Sequence, residues 1–191
     1  MYDLIKRMIV VVVASLALQV GSVGAQTLSD LEGFTGDQDS AIAFAAQIVA
    51  ANPGDLDAVV SAVLSQFPDA AVPLATSLTA SNPAAAVQIA TTVARRAPAS
   101  ATEVAGAVAA EAPDQAVGIA VAVSSDHPDV AADVVAEVAV ASGTEVTAIA
   151  PAVANAVGVD ANELADAAEA IQDQDDAVDT DVDESELASG G

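Results

Sequence analysis

Reactive side chains are scarce in this chain of 191 residues. It contains no cysteine and a single histidine, His127. Thiolate metal sites and multi-histidine metal sites are therefore excluded, and a Ser-His-Asp triad would require His127 to lie in a cleft. His127 stands directly before Pro128, where a loop or helix-cap role is typical. The sequence predicts no catalytic residue, no cofactor-binding residue and no metal ligand.

Carboxylates are the abundant polar group, and paired carboxylates can perform acid/base chemistry. Here, however, acids recur at the start of a repeated helical unit, where a carboxylate meets the positive end of the helix dipole. This placement explains them without catalysis, and we expect a protein that is not an enzyme. The acids at unit starts are Asp55, Asp69, Asp114, Asp129, Glu145 and Asp160.

Three aspartates near the end of the chain have the spacing of the first calcium ligands in an EF-hand loop. They are Asp179, Asp181 and Asp183. Glu184 stands where the loop needs glycine, and Gly190 stands where it needs the final glutamate. The pattern favours weak, diffuse cation association over a specific calcium site.

Arg95 and Arg96 are the only lysine or arginine residues beyond position 25. Positive charge is favourable at the C-terminus of a helix, which is the role that we expect for them. The alternative is a docking point for an acidic segment such as residues 173–186, or for a neighbouring subunit.

A fifteen-residue period organises the middle of the chain. Six prolines recur at this interval, and Gly143 and Gly158 continue the series at the same spacing. Such a fixed spacing is the signature of a repeat architecture. The prolines are Pro53, Pro68, Pro83, Pro98, Pro113 and Pro128.

Nine units fit residues 38–172 when the proline is position one. Positions seven and eleven are large and apolar in nearly every unit, and positions four and eight are mostly alanine. Because spacings of three, four and seven share one helix face, each unit is predicted to be one short amphipathic helix. The fold class is all-α: an α-solenoid of about nine 15-residue single-helix repeats stacked antiparallel, two units making thirty residues. Position seven is occupied by Phe44, Val59, Leu74, Ile89, Val104, Ile119, Val134, Ile149 and Leu164.

Proline suits the first position of a helix, because that amide has no intrahelical acceptor. Asn52, Asn82 and Ser142 precede unit starts and are candidate side-chain N-caps.

Two prolines are irregular: we expect the third helix to begin late, at Pro73, and Pro151 to kink or break its helix. An alternative fold with the same fifteen-residue period is a right-handed supercoil of long helices. It is the weaker alternative, because it would place a proline inside a helix every fourth turn.

The ends differ from the array. Residues 1–25 read as a secretory signal peptide, with a basic start, a short apolar run and small residues before the expected cleavage site. We assign residues 26–37 to an N-terminal linker, 38–172 to the repeat domain and 173–191 to an acidic disordered tail. The predicted location is outside the cytoplasm, extracellular or periplasmic, with no membrane span after signal removal.

Net charge limits the partners. The whole chain has a formal charge of −24, and loss of Asp3, Lys6 and Arg7 with the signal would make it −25. Such a field repels nucleic acid and opposes compaction unless salt screens it. We expect a protein partner or self-association.

The expected function is a secreted structural or adhesive repeat scaffold that could assemble end to end, since repeat arrays expose extended surfaces. The alternative is a periplasmic module that binds a protein or peptide on an acidic surface. Ice or mineral binding fits the sequence less well, because the threonines of the chain form no ladder through the array.

Overall fold

The computed structural model describes Leu31, Phe34 and residues 36–179, with side chains as far as residue 174. This part of the chain contains nine α-helices and no strand, so the all-α prediction is confirmed. The helices are α1 Gln38–Ala51, α2 Leu56–Gln66, α3 Ala71–Ser81, α4 Ala86–Arg96, α5 Ala101–Glu111, α6 Ala116–Asp126, α7 Ala131–Ser142, α8 Val146–Val157 and α9 Ala161–Asp179. Short 3₁₀ helices precede α2 to α7, at Pro53–Asp55, Pro68–Ala70, Pro83–Ala85, Pro98–Ser100, Pro113–Gln115 and Pro128–Val130.

The residue before each repeat proline ends one helix and begins the next turn. The backbone N–H of Phe67, for example, donates to the carbonyl oxygen of Val63 at 2.8 Å, and its own carbonyl accepts from the N–H of Ala70 at 3.0 Å. Its φ of −131° and ψ of 77° lie outside the α region, as proline requires of the residue before it. One residue therefore pairs a carbonyl at the end of one helix and an N–H at the start of the next turn, which makes the connection tight.

The predicted side-chain caps are wrong for this reason. Asn52 and Asn82 make no side-chain capping bond, because the backbone already supplies the acceptor. Ser142 fails as an N-cap for a different reason, because it is the last residue of α7 and the next helix is preceded by Glu145. Its Oγ donates to the carbonyl of Val138 at 2.6 Å and accepts from the N–H of Thr144, within the turn, at 3.3 Å. A side-chain cap does occur before α1, where Asp37 Oδ1 accepts from the Ser40 N–H at 2.9 Å. This bond lowers the pKa of Asp37.

Gly143 and Gly158 occupy the proline position but end helices. Their φ values of 68° and 80° are left-handed, a conformation that glycine adopts without a steric penalty. They close α7 and α8, respectively.

The helices form two layers. Each helix packs on the next helix but one, and sequence neighbours also pack on each other, except for α2 and α3, which both pack on the 3₁₀ turn between them. We call α1, α3, α5, α7 and α9 the odd layer, and α2, α4, α6 and α8 the even layer. This arrangement confirms the stacked solenoid and excludes the long supercoiled helices, since each described unit ends after one short helix.

The core follows the predicted register. The residues at positions seven and eleven are buried, and Ile119 and Val123 in the middle of the array are fully so. The exception is Phe44, which is half-buried and stacks on Phe34 with ring centroids 6.5 Å apart. Alanines at positions four and eight are also buried in most units, and small side chains allow helices to approach closely.

Both irregular prolines depart from expectation. The third helix begins at Ala71, so Pro73 lies in its first turn, where a missing amide costs little. Helix α8 runs through Pro151 without interruption, so the predicted break is wrong. Pro151 and Thr147, whose carbonyl it leaves without a helical donor, are both exposed. Water can reach that carbonyl, which makes an interior proline tolerable.

The array extends past the predicted boundaries. Leu31, within the expected linker, is fully buried in the core, and Gln66 Nε2 donates to its carbonyl at 2.7 Å. Helix α9 continues to Asp179, into the expected tail. The signal segment 1–25, Asp181 and Asp183 lie outside the described residues.

Candidate interaction surfaces

His127 has the structural position that was expected. It is the pre-proline residue after α6, and its N–H donates to the carbonyl of Val123 at 2.9 Å. Its carbonyl accepts from the N–H of Val130 at 3.3 Å. The ring Nε2 is buried without a hydrogen-bond partner.

Arg95 and Arg96 connect three helices of the even layer. Arg95 on α4 contacts Asp126 on α6, with its Nε and Nη2 donating to the carboxylate at 2.7 and 3.2 Å. Arg96 on α4 contacts α2, with Nη2 donating to Asp57 Oδ2 at 2.7 Å and Nη1 donating to Ser61 Oγ at 3.0 Å. Both arginines lie in the last turn of α4, so the predicted helix-end position is correct.

The arginines also hold neighbouring even helices together. The hydrogen bond with Asp126 and the charge of its carboxylate raise the pKa of Arg95. Both pairs are partly exposed to water, which limits their strength. The alternative role, docking of residues 173–186, involves a segment that lies mostly outside the described residues.

Charge is unequally divided between the two layers. Among the helices of the even layer, the charged residues are two acids and two arginines, and these are the partners in the two ion pairs. The helices of the odd layer contain no lysine, arginine or histidine. Their acidic residues with described side chains, all exposed, form what we call the acidic face: Asp39, Glu103, Glu111, Asp133, Glu137, Glu163, Asp166, Glu169 and Asp173.

The outward side of the even layer forms a second surface, the neutral face. It consists of positions five, six, nine, ten, thirteen and fourteen of the even units, and every residue there is exposed or half-buried. Apart from the two ion pairs, its residues are uncharged. By helix they are Asp57, Ala58, Ser61, Ala62, Ser65 and Gln66; Val87, Gln88, Thr91, Thr92, Arg95 and Arg96; Val117, Gly118, Val121, Ala122, Ser125 and Asp126; and Thr147, Ala148, Pro151, Ala152, Asn155 and Ala156.

Two shallow, open grooves mark these surfaces. One, of about 450 Å³, lies between α2 and α4 and is lined by Ser61, Ser65 and the Arg96–Asp57 pair. The other, of about 500 Å³, lies where α7, α8 and α9 meet, and Glu145 and Glu169 line it. His127 lines neither of them.

Among the odd helices, α5 and α7 make the most extensive contact. Gly106 on α5 is buried, and a Cβ atom there would lie 2.5 Å from Cγ of Glu137 on α7. The aliphatic part of this glutamate therefore packs over the glycine, while the residue as a whole remains exposed.

The described residues include no group of three or more histidine or acidic side chains that could hold a metal ion. Within the same part of the chain, no helix is both long and apolar enough to cross a bilayer.

The division of charge between the layers was not predicted from the sequence, although one position indicates it. Position six is acidic in three of the five odd units, at Glu103, Asp133 and Glu163, and uncharged in the other two, at Ala43 and Pro73. In the even units it is uncharged, at Ala58, Gln88, Gly118 and Ala148. Reading the sequence with a period of thirty instead of fifteen would have separated the two faces.

No protein-family model, curated protein or solved structure matches this chain.

Proposed function

We propose that the protein is an exported, non-enzymatic structural scaffold that self-associates. The observation that carries this proposal is the pair of unlike faces on a two-layer array: an acidic one, whose carboxylates lie mainly on α5, α7 and α9, and a neutral one. Repeat arrays are suited to presenting extended surfaces. The signal-like residues 1–25 support export, and the buried ring nitrogen of the lone histidine supports a non-catalytic role.

Light scattering of the chain without residues 1–25, from low to molar sodium chloride, tests this proposal. At low salt the like charges of two copies repel each other, and salt shortens the range of that repulsion from about 30 Å at 0.01 M to about 3 Å at 1 M. We expect the average mass to rise above that of a monomer as salt is added. A monomer at every salt and protein concentration would contradict self-association.

A second candidate is a module that binds a basic protein or peptide, and the gathering of acids on the odd layer favours it. An oligolysine peptide is a suitable probe. Binding should weaken in the Glu103→Gln/Asp133→Asn/Glu137→Gln variant. A control that removes the same charge from the turns, Asp55→Asn/Asp69→Asn/Asp114→Asn, should retain it. Equal losses in both variants would indicate attraction to net charge alone and would count against a binding face.

A further inference from the structure

We propose that two copies of this chain associate through their neutral faces, with the even layers in contact and the acidic faces turned outward. This inference rests on the proposed function, because it names the partner and the surface used in self-association.

The distribution of charged residues favours the neutral face as the contact surface. A second copy approaching the acidic face would bring carboxylates against carboxylates, and the helices of that layer hold no cation to compensate them. Like charges placed opposite each other across an interface cost several kcal/mol. The neutral face carries two acids and two arginines, already paired at 2.7 Å. It is therefore the broad surface on which two copies can meet without bringing two sets of carboxylates into direct opposition.

The C-terminal end of the array is also unsuitable for contact with a second copy. Helix α9 is the last described helix, and its exposed residues include Glu163, Asp166, Glu169 and Asp173. End-to-end assembly would bury this acidic surface against another strongly acidic chain. Side-by-side association through the even layer avoids that cost.

The neutral face is large enough for a contact between two copies, and its exposed side chains are mainly small. Four helices of 11 to 12 residues lie side by side in it. At about 1.5 Å per residue and about 8–10 Å between axes, their footprint is roughly 600 Å² per copy. Two such footprints reach about 1,200 Å², the lower end for specific complexes. Apart from Val117, which is 37% exposed, its most exposed uncharged positions are mainly small, including Ala58, Gly118 and Ala148.

Matched alanine-to-glutamate variants test the inference, measured by sedimentation equilibrium of the chain without residues 1–25 in 0.5 M sodium chloride. Ala58→Glu/Ala148→Glu places charge on the neutral face, at position six of two even units. The control, Ala43→Glu/Ala110→Glu, adds the same charge at exposed alanines of the odd layer. We expect the dimer Kd to rise at least tenfold in the neutral-face variant and to change less than twofold in the control. Far-UV circular dichroism should show the same helicity in all three proteins.

The possible results separate the inference from the proposed function. Association that survives Ala58→Glu/Ala148→Glu but weakens in the control would overturn the neutral face and leave the scaffold intact. Equal weakening in both variants would likewise overturn the chosen face. A wild-type monomer that dimerises only after deletion of residues 180–191 would mean that the chain covers this face itself, which also overturns the inference. A monomer with and without those residues would contradict the proposed function as well.

Discussion

At the residue scale, the protein is held together by small apolar side chains in a fixed register. Ile119 is fully buried near the middle of the array. Gln115 lies one turn earlier and outside the core, but it is not inert, since its Nε2 donates to the carbonyl of Pro83 at 2.6 Å. This bond joins the turns that precede α4 and α6, a contact that periodicity alone does not indicate.

Truncation of Ile119 should be costly. Ile119→Ala removes a core side chain and leaves a cavity, so we expect the free energy of unfolding to fall by about 2–5 kcal/mol. Gln88→Ala is a better control than Gln115→Ala, because Gln88 is exposed on α4 whereas Gln115 bonds to Pro83. Its free energy of unfolding should stay within about 0.5 kcal/mol of wild type. Urea denaturation measures both. Equal, small effects would mean that the core face has been assigned to the wrong side of the helix.

The two arginines give a second prediction at this scale. Arg95→Gln/Arg96→Gln breaks both ion pairs and leaves Asp57 and Asp126 unpaired in an already negative field. We expect the melting temperature to fall at low salt and to approach that of wild type at about 1 M salt, where the screening length is about 3 Å.

Asp57→Asn/Asp126→Asn is the matched comparison for the arginine variant. It breaks the same pairs but removes two negative charges from a strongly negative chain, so it should lose less stability at low salt. An arginine variant as stable as wild type at low salt would show that the pairs do not join the even helices.

At the element scale, each unit is a helix that starts and stops through its backbone. The sequence correctly predicted the unit length, the helical state and the buried positions, because proline spacing and apolar periodicity report on local structure directly. It failed at Asn52 and Asn82, because residue type does not reveal that a pre-proline backbone can close both helix ends. It failed at Pro151 because the penalty depends on which side of the helix faces water, and that is set by packing.

Glycine substitutions test the unit boundaries. Gly54 lies in a 3₁₀ turn with no atom within 4 Å of an added Cβ, and its φ is not left-handed. Gly54→Ala should therefore raise stability by about 0.4–1 kcal/mol, mainly by restricting the unfolded chain. Gly143 has a φ of 68°, so Gly143→Ala should lower stability by about 1–2 kcal/mol. Thermal unfolding gives both values, and effects of the same sign would contradict the turn geometry.

At the scale of the whole molecule, the structural repeat is the pair of helices. The two layers are not interchangeable, and position nine shows why. In odd helices α1, α5 and α7 it is small and buried, at Ala46, Gly106 and Ala136, whereas α3 has the half-buried Thr76 and α9 the exposed Asp166 there. In the even helices α6 and α8 the same position holds Val121 and Pro151 at the outward side. Fifteen-residue periodicity hides this difference, since both layers share positions seven and eleven, and only side-chain size and charge at other positions distinguish them.

The central claim is that this array repeats every thirty residues in two different layers, and paired deletions test it most directly. Removing residues 98–127 takes out α5 and α6, joins Ala97 to Pro128, and leaves every later helix in its own layer. Removing residues 98–112 takes out α5 alone, joins Ala97 to Pro113, and moves every later helix to the opposite layer. Arg95 loses Asp126 as a partner in both, so the comparison is matched for that ion pair.

Chemical denaturation of the two deletion variants, followed by circular dichroism, is the decisive measurement. We expect the thirty-residue deletion to unfold cooperatively at a reduced midpoint, as expected for a shortened array stabilised by neighbour contacts. The fifteen-residue deletion should be the less stable of the two although it removes fewer residues, because it forces Val121 into the place of Gly106 and carries Asp133 and Glu137 onto the neutral side. A fifteen-residue deletion as stable as the thirty-residue deletion, or more stable, would contradict the two-layer account.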